Sequence, residues 1–458
     1  MAKITRKRYS VQMIQKKHTP PIVPRAFWRA HKHQDTVSQL LQIAREFGSF
    51  VKGSAQSEHY FVADADVIHH ILVSDHEAYE KTPFPFNRMG RLVGKGLLTN
   101  LTESWFSRRK VLQKLFTREY LDAYAQQTIN SMPVFLEYWD ACAKTDTPIN
   151  VYDDMMMLVL TNVSKHFLSD TLTQNKARTL VKAISLAQCG VCYPFILSPF
   201  FPSPTFLRFR YGVWKVDQYV TKLIKERQCM TSRPHDLLTF LMEQGVSDQD
   251  LLDEGKTALV AGHETTGTAL SWCFYLLMKH KKIYQRLQEE VLRVVGERTL
   301  CINDLEQLPL VQAVIEESLR LYPPTWGLPR MSMKIDTLLG YDIPSGAQFI
   351  ISPYVIHRSE KYWDEPDAFK PERFMGENRK KIHKNAYMPF SVGPHRCIAA
   401  QLALRQAQIV LAMIAQRFSL ECVSHNTDPM PQELHIPMRP KEAMIVRIIK
   451  HEKRENIQ

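Results

Sequence analysis

Along most of the chain, apolar residues recur every three to four positions, the spacing of helices that pack one face on a core. The stretch VSQLLQIAREFGSFVK shows this period, and it continues from Trp105 to about Arg298, broken chiefly at YPFILSPFFPSPTF. YFVADADVIHHILVS predicts a strand and then a helix, whereas TPFPFNRMGRLVGKGLLTNL predicts a loop because prolines and glycines interrupt it. The hydrophobic pattern therefore predicts a mainly helical protein.

Strand patterns are concentrated in the last third of the chain. Between Arg330 and Ile356, LLGYDIPSGAQFIISPYVI carries the turn residues of a short hairpin, and EAMIVRII predicts a further strand near the C-terminus. We find no internal repeat and no low-complexity linker. We therefore predict a mainly α fold with a smaller β region, in a single domain over residues 21–458.

One helical segment is longer and less regular than the others. Ser247, with Asp250 three residues on, resembles a helix-capping pair, and the helical period then runs to about His280. Such a helix would span roughly 50 Å at about 1.5 Å per residue. Its centre, AGHETTG, places glycines, an acid and threonines where apolar residues are usual, which weakens the helix and favours a bend. We interpret this centre as opened to admit a small molecule, although a merely weak helix would show the same residues.

Composition and charge narrow the class of protein. The chain has 458 residues, 45% of them apolar, so it can bury a large core. Its net charge of +12 is partly due to a basic tail over residues 1–20, whose first seventeen residues hold six Lys or Arg and no acid. Such a tail is usually solvated, but it could contact anionic lipid or an acidic protein. Nucleic acid is not a predicted partner, because no recognised binding motif accompanies the charge.

Cysteine usage and hydropathy point to the cytoplasm. No stretch approaches the roughly 18 unbroken apolar residues of a membrane span, and the N-terminus lacks the apolar centre of a signal peptide. The eight cysteines are mostly scattered singly, which suits free thiols in a reducing compartment. CGVC, from Cys189 to Cys192, lacks the context of a redox or zinc site, so we interpret it as two buried thiols.

Two groups of residues suggest chemistry. In MPFSVGPHRCIAAQLAL, Cys397 follows a turn with glycine and proline and leads into a helical pattern, as expected for a thiolate at the edge of a planar ligand. In VIEESLRLYPP, Glu317 and Arg320 lie three apart on one helical face, and a double proline ends that helix. Alone this would be an ordinary surface ion pair. Arg373, in the irregular segment YWDEPDAFKPERFM, could converge on the same glutamate and hold irregular chain in place.

These motifs together resemble the cytochrome P-450 (haem-thiolate) family. FSVGPHRCIA resembles its cysteine-ligand loop, AGHETT the oxygen-binding groove of its long helix, ESLR its Glu-x-x-Arg helix and PERF the following arginine segment. Each motif is short, but all four occur in the family's order. The resemblance covers about Thr82 to Ile449 and implies a triangular helical prism with a long central helix over the haem.

The resemblance implies roles for matching residues. Cys397 would be the thiolate ligand of the iron in haem b, whose electron donation favours O–O cleavage. Glu264 and Thr265 would be an acid–alcohol pair that delivers protons in a dry pocket. We expect Arg108 to be solvated and His263 not to be a ligand. The other cofactor contacts would be Trp105, Arg109, Ala261, Arg330, Phe390, Gly393 and His395, and the structural triad would be Glu317, Arg320 and Arg373.

The predicted electron donor is a separate protein. No Gly-x-Gly-x-x-Gly dinucleotide loop is present, so we predict no fused reductase and expect NAD(P)H-derived electrons from a partner. By the family's arrangement NRKKIHKN lies near the cysteine side of the haem, and its basic charge suits an acidic ferredoxin or flavodoxin. A merely solvated loop would have the same composition.

The predicted function is a monooxygenase that inserts one oxygen atom into a lipophilic substrate. AGHETT resembles fatty-acid hydroxylating relatives, so fatty acids are favoured over terpenoids and sterols. The apolar lid segment CYPFILSPFFPSPTF could rest on a membrane surface as a peripheral contact. Alternatives are a peroxide-driven or oxygen-independent haem-thiolate enzyme and a non-catalytic haem-binding sensor. The predicted pocket residues, which could equally pack against one another, are Phe84, Phe86, Met89, Thr325, Trp326 and Leu328.

Overall fold

Helices form most of the protein. The computed structural model describes residues 19–31, 35–101, 104–192, 203–423, 430–434 and 437–451. The mainly α fold predicted from the hydrophobic period is confirmed. The helices are α1 Arg25–Ala30, α2 Thr36–Phe47, α3 Ala65–His69, α4 Pro83–Val93, α5 Ser104–Gln113, α6 Arg118–Lys144, α7 Val151–Leu168, α8 Gln174–Cys192, α9 Pro204–Cys229, α10 Leu237–Glu243, α11 Asp248–Lys279, α12 Lys281–Val295, α13 Pro309–Leu321, α14 Pro353–Ile356, α15 Gly376–Lys380 and α16 Ala400–Ala415.

The strands are short and belong to four sheets. The five-stranded sheet has the order β1-β2-β8-β5-β3, in which β2 and β8 are parallel and the other pairs antiparallel. The three-stranded sheet has the order β4-β12-β9, and β6-β7 and β10-β11 are hairpins. The strands are β1 Phe50–Ser54, β2 Ser57–Val62, β3 Tyr79–Glu80, β4 Ile149–Asn150, β5 Leu328–Ser332, β6 Asp336–Leu338, β7 Tyr341–Ile343, β8 Gln348–Ile351, β9 Phe418–Cys422, β10 Gln432–Leu434, β11 Met438–Pro440 and β12 Ile445–Lys450.

The long helix α11 begins where the sequence predicts. The Ser247 side chain caps it by accepting a hydrogen bond from the Asp250 N–H at 3.2 Å, and the helix continues without interruption to Lys279. Its two central glycines lie against α7. A Cβ on Gly262 would meet Val163 at 3.4 Å, and one on Gly267 would meet the Met156 sulfur at 2.9 Å. The central glycines therefore permit close packing of α7, and the predicted opening is not a break in the helix.

The predicted loop before residue 100 is wrong in its first half, which forms α4. Pro83 occupies the first turn, where its missing N–H leaves no hydrogen bond unmade, and Gly94 ends the helix at φ 73°. Phe84 has non-helical backbone angles, so the first turn is irregular. The prolines and glycines that indicated a loop are thus the start and end of a helix.

Some predicted features lie outside the described residues. These are the basic tail before residue 19, most of the apolar segment between Cys192 and Phe206, and the side chains of Cys189 and Cys192. Within the part of the chain that the structure describes, no helix combines the length and apolarity needed to cross a membrane.

Candidate active site

The Cys397 loop joins the irregular segment after α15 to α16. The Cys397 N–H donates to the Phe390 carbonyl at 2.9 Å, and the Arg396 N–H donates to the Gly393 carbonyl at 3.0 Å. These bonds close two turns of the loop just before α16 begins. The Cys397 thiol is not covered by neighbouring side chains, and it opens into a cleft of about 250 Å³ whose wall includes Arg109 and Phe116.

Gly393 has a steric reason to be glycine. Its φ is +71°, in the left-handed region that side chains disfavour, and a Cβ there would come within 1.9 Å of the Leu72 carbonyl oxygen. Leu72 belongs to a π-helical turn, His70–Ser74, that follows α3. The Cys397 loop is therefore pressed against a neighbouring backbone, which fixes its position.

Opposing electrostatic effects act on the pKa of the Cys397 thiol. Enclosure by the surrounding protein raises its pKa, while a hydrogen bond from the Ala399 N–H and the positive charges of Arg109 and Arg396 act to lower it. Burial lowers the pKa of Arg109, and the sulfur acts in the opposite direction. A negative charge on this sulfur would thus have one N–H donor and two cations to stabilise it.

Near the thiol lies a basic cluster, defined here as Lys81, Arg109, Arg330 and His395. Arg330 is 4% exposed, and its guanidinium donates a hydrogen bond to the carbonyl of its own neighbour, Pro329, at 2.8 Å. Burial lowers the pKa of Arg330 to about 10. Among the described residues, no carboxylate lies within ion-pair distance of any member of the cluster. The cluster therefore concentrates positive charge without a counter-ion from the described part of the chain.

Lys81 is the member of the cluster that was not predicted. Its ammonium donates to the carbonyls of Leu97 at 3.2 Å, Leu98 at 3.0 Å and Asn100 at 3.4 Å. Burial, and then the charges of Arg330 and Arg109, lower the pKa of Lys81 to about 7. Lys81 belongs to no motif, so nothing in the local sequence indicated that it would face this site.

His395 and Trp105 form one wall of the cluster. Their rings stack with centroids 3.9 Å apart, and the Trp105 indole N–H donates to the Leu97 carbonyl at 2.9 Å. Burial and the nearby cations lower the pKa of His395 to about 3, so the ring is neutral. Its Nδ1 atom is buried and has no hydrogen-bond partner among the described residues. Arg109 is fixed by donating to the Arg396 carbonyl at 2.8 Å.

The expectation that Arg108 is solvated is wrong. Its guanidinium donates to Asp250 at 2.6 Å and to Glu254 at 3.0 Å, both on α11. Glu254 also accepts from the Leu97 N–H at 2.9 Å. The same carboxylate therefore ties α5 and the loop after α4 to the long helix, which sequence spacing within α5 could not reveal.

Glu264 and Thr265 are adjacent on α11 but make different contacts. The Thr265 hydroxyl donates to the Ala261 carbonyl at 2.9 Å, one turn earlier. Glu264 is buried and accepts a hydrogen bond from the Gln188 amide of α8, and burial raises its pKa to about 8. His263 Nδ1 lies 2.7 Å from the Leu259 carbonyl oxygen, as expected for a histidine that satisfies the backbone.

Glu317, Arg320 and Arg373 come together as the motifs suggested. Glu317 and Arg320 are fully buried, and the guanidinium donates to both carboxylate oxygens at 2.6 and 2.8 Å. Arg373 Nε lies 3.4 Å from the same carboxylate. Arg320 also donates to three carbonyls in the irregular chain beyond β8: His357 at 2.7 Å, Pro366 at 2.6 Å and Ala368 at 2.9 Å.

The predicted pocket residues lie in two places. Phe84 is 59% exposed, and the Arg88 guanidinium stacks 4.3 Å from its ring centroid, while Met89 packs against the core. Trp326 and Leu328 also pack against the core, in and before β5. The Lys81 Nζ atom lies 5.4 Å from the centroid of the Phe86 ring. Thr325 is half-buried and immediately precedes Trp326.

A second, larger cleft of about 610 Å³ also borders the Cys397 loop, lined by Phe390, Gly393 and Arg396. Its rim carries more cations than acids. Two of these cations are neutralised in part, since Arg379 bonds Glu316 at 2.8 Å and Arg405 bonds Asp122. The cations of the lining are Arg118, Arg379, Lys384, Arg396 and Arg405, and the acids are Asp122, Glu306 and Glu316.

The site thus combines a thiol that opens into a cleft with neighbouring positive charge that the described protein does not neutralise. A family model described as Cytochrome P450 matches residues 16–447. The chain belongs to the cytochrome P450 family, so it is a monooxygenase-class enzyme. Membership implies a haem cofactor, electrons from a redox partner and a lipophilic substrate. The orphaned basic cluster fits such a cofactor, because haem carries two carboxylates that need cations.

Individual relatives are distant. Cyclooctat-9-en-7-ol 5-monooxygenase of Streptomyces melanosporofaciens is 28% identical over 359 residues, covering 75% of this chain and 76% of that protein. Cytochrome P450 4A22 of Homo sapiens is 29% identical over 378 residues, covering 76% and 70%. The crystal structure of the cytochrome P450DA heme domain has a TM-score of 0.85 at 21% identity, covering 95% of this chain and 98% of that one. This structural likeness confirms the fold.

Proposed function

We propose that the protein inserts one oxygen atom of O₂ into a lipophilic substrate, with Cys397 as the ligand of the haem iron. The observation that carries this proposal is the Cys397 thiol beside the basic cluster. When bound, haem b (iron protoporphyrin IX) supplies the iron that activates O₂ with electrons that originate from NAD(P)H. Among the residues here, the Ala399 N–H and Arg109 stabilise the negative sulfur, as outer contacts tune metal ligands elsewhere.

The basic cluster would hold the two carboxylates of the cofactor. Arg109 and Arg330 are fixed cations, and Lys81 adds a third that can gain or lose a proton near neutral pH. The stacked Trp105 and His395 would cover the same edge, and the buried His395 Nδ1 would gain a partner. Phe390 and Gly393 shape the loop below, and Ala261 is the carbonyl to which Thr265 bonds.

Glu264 and Thr265 would supply protons on the α11 side. The Thr265 hydroxyl can exchange its bond to Ala261 for one to water or substrate, since a threonine hydroxyl rotates freely between partners. Glu264 is mostly protonated at pH 7, because burial raises its pKa to about 8, so it can donate. Neither a peroxide-driven nor an oxygen-independent enzyme needs this pair to split dioxygen. A non-catalytic haem-binding sensor has no use for such a proton-donating pair either. The presence of Glu264 and Thr265 therefore disfavours all of these alternatives.

Fatty acids are the substrates we favour, with terpenoids and sterols as the next classes. The support is the apolar character of Met89, Trp326 and Leu328 and the resemblance of AGHETT to fatty-acid hydroxylating relatives. Burial of such a chain contributes about 0.8 kcal/mol per CH₂. One relative is named as a monooxygenase of cyclooctat-9-en-7-ol, which supports terpenoid alcohols as the next substrate class.

We propose an acidic ferredoxin or flavodoxin as the electron donor. The support is the cationic rim of the larger cleft beside the Cys397 loop, with Lys384 among its members. Lys380 and Lys381 lie next to it on the short helix α15 and its end, where Lys380 pairs with the exposed Glu377 at 2.7 Å. Charge of this kind would orient an acidic partner near the thiol.

We also propose a cytoplasmic enzyme that touches a membrane surface peripherally. The support is an exposed apolar stripe on α9, formed by Leu207, Tyr211 and Trp214 at helical spacing. Lys215 lies over both aromatic rings, at 5.6 and 5.0 Å from their centroids, and offers positive charge to anionic lipid.

The spectrum of the reduced, CO-bound protein tests the proposal. We expect the red-shifted Soret band of a thiolate-bound haem in the wild type and its loss in Cys397→Ser, because a neutral hydroxyl is a poor iron ligand. Cys422→Ser, at another exposed cysteine on β9, is the matched control and should keep the band. Retention of the band in Cys397→Ser would contradict the assignment. Spin-state shifts with C12–C18 fatty acids, a sterol and a small polar aromatic then rank the substrate classes; a shift with the polar aromatic alone would reject the lipid proposal.

A further inference from the structure

The buried Glu264 carboxyl faces a polar region that no motif describes. The side chains of adjacent helical residues are rotated about 100° from one another around the helix axis, so Glu264 and Thr265 point in different directions. Thr265 bonds back to its own helix, whereas Glu264 reaches Gln188 on α8. Glu264 is 5% exposed, so a proton that leaves it must be replaced through neighbouring groups.

Two groups from other elements interact electrostatically with this carboxyl. Tyr152 stands in the first turn of α7, and Arg439 lies on β11. The Arg439 charge favours ionisation of both Glu264 and Tyr152, and the three groups influence one another's protonation. Arg439 is held across the β10–β11 hairpin by Glu433 at 2.9 Å.

The hairpin is attached directly to the long helix. The Trp272 indole N–H of α11 donates to the Met438 carbonyl at 3.1 Å, next to Arg439. The Arg439 side chain keeps 17% of its surface exposed and that of Glu433 keeps 36%, so this hairpin reaches solvent.

A buried polar atom nearby, Gln188 Oε1, has no hydrogen-bond partner among the described residues. The hydroxyl of Thr268 lies one helical turn after Glu264 on the same face, and its hydrogen bond to the Tyr152 hydroxyl acts to lower the pKa of that phenol. Buried polar atoms almost always have partners, and water is the usual one where protein supplies none. The region therefore has the polar lining that a proton path needs.

We propose that Tyr152 and Arg439 form the solvent side of the proton supply to Glu264. A proton that leaves the Glu264 carboxyl oxygen toward Thr265 is replaced from solvent on the face held by α7 and the β10–β11 hairpin. Arg439 is a positioning residue that sets how readily Glu264 releases its proton. This inference rests on the proposed function of the Glu264–Thr265 pair, and it assigns to that pair an entry route and two further residues.

Among the described residues, the other buried charged side chains of α11 lie near its beginning rather than at Glu264. Lys256 pairs with Asp217 of α9 at 2.9 Å, and Asp253 accepts from the Lys95 N–H at 2.7 Å. Lys256 is two turns away, roughly 12 Å along the axis. From α8 the group that faces Glu264 is the neutral amide Gln188. Among the described residues, Arg439 is thus the charged group that acts on the pKa of this carboxyl, and the carboxyl in turn raises the pKa of Tyr152.

Infrared difference spectra of the ferric holoprotein test the inference without requiring turnover. The C=O band of the protonated carboxyl is assigned by its loss in Glu264→Gln, and it is followed as pH rises through about 8. In Arg439→Gln the positive charge is gone, so the midpoint should move upward by about one pH unit, a tenfold change in the ionisation constant. Arg439→Lys keeps the charge and should stay near wild type. Arg447→Gln, an exposed arginine on β12, is the matched control and should change nothing.

Tyr152→Phe provides a second measurement if Arg439→Gln fails to fold. It should bind haem and substrate normally but lower the product formed per NAD(P)H consumed several-fold, with the shortfall appearing as peroxide. An unshifted midpoint in Arg439→Gln, or equal shifts in the Gln and Lys variants, would overturn the role of Arg439. An unchanged product ratio in Tyr152→Phe would overturn the entry route. Neither result depends on the Cys397→Ser spectrum, so failure of this inference and failure of the proposed function remain distinguishable.

Discussion

Arg320→Ala should prevent accumulation of stable holoprotein. The guanidinium makes two bonds to Glu317 and three to the carbonyls of His357, Pro366 and Ala368, all within 2.9 Å. Removing one partner of a buried ion pair costs about 3–5 kcal/mol. Each carbonyl that loses its donor adds about 1 kcal/mol. The sum, roughly 6–8 kcal/mol, is comparable with the 5–15 kcal/mol by which native proteins are typically stable.

Arg286→Ala is the matched control for burial. Arg286 bonds Glu372 at 2.6 Å, the same distance as the shorter Arg320 contact, but both side chains are about half exposed. A solvated pair of this kind contributes about 0–1 kcal/mol. The comparison therefore holds the chemistry and distance constant and changes the burial.

The assay combines two measurements on each variant. The yield of soluble protein with a reduced-CO spectrum reports holoprotein, and the urea midpoint of tryptophan fluorescence reports stability. We expect Arg320→Ala to be haem-free or aggregated, and Arg286→Ala to resemble wild type. If both variants gave the same yield and midpoint, the buried Glu317–Arg320 pair would not stabilise the irregular chain around residues 357–368.

The remaining predictions concern protons and electrons. Thr265→Ala should still bind haem and substrate but divert electrons to peroxide several-fold, since the hydroxyl that passes the proton is lost; an unchanged ratio of product to NAD(P)H consumed would remove Thr265 from the relay. Changing Lys380, Lys381 and Lys384 to Glu should slow the first electron transfer and flatten its dependence on ionic strength. If the stopped-flow rate of the first electron transfer changes neither with these substitutions nor with salt, the lysines belong to a solvated loop and not to a docking surface. Lys222→Glu, on α9, is the control.

Local motifs predicted the parts of the site whose contacts are close in sequence. The Glu317–Arg320 pair is three residues apart, and the Ser247 cap of α11 acts within four residues, so spacing alone was sufficient. Lys81 and Arg108 were missed or misjudged because their partners lie far along the chain. Lys81 reaches the carbonyls of residues 97–100 and the charge of Arg330, and Arg108 reaches α11.

The loop predicted over α4 failed for a related reason. Pro83 and Gly94 are helix breakers in an interior but suit a helix at its ends, and composition does not distinguish the two positions. The packing of that helix against α8 and α11 then decides the outcome, and these contacts join segments roughly 95 and 175 residues apart.

With the cofactor's carboxylates held as proposed, the basic cluster would make cofactor binding a proton-linked equilibrium. Lys81 has a pKa of about 7 beside Arg330 and Arg109, so near neutral pH the ammonium is charged in only part of the cofactor-free protein. An anionic group placed against it raises that pKa, so binding takes up a fraction of a proton at Lys81 Nζ. The sign follows directly: apparent affinity is highest below pH 7 and declines as pH rises above it. Cells that load this enzyme at alkaline pH would therefore accumulate more of the chain without its cofactor.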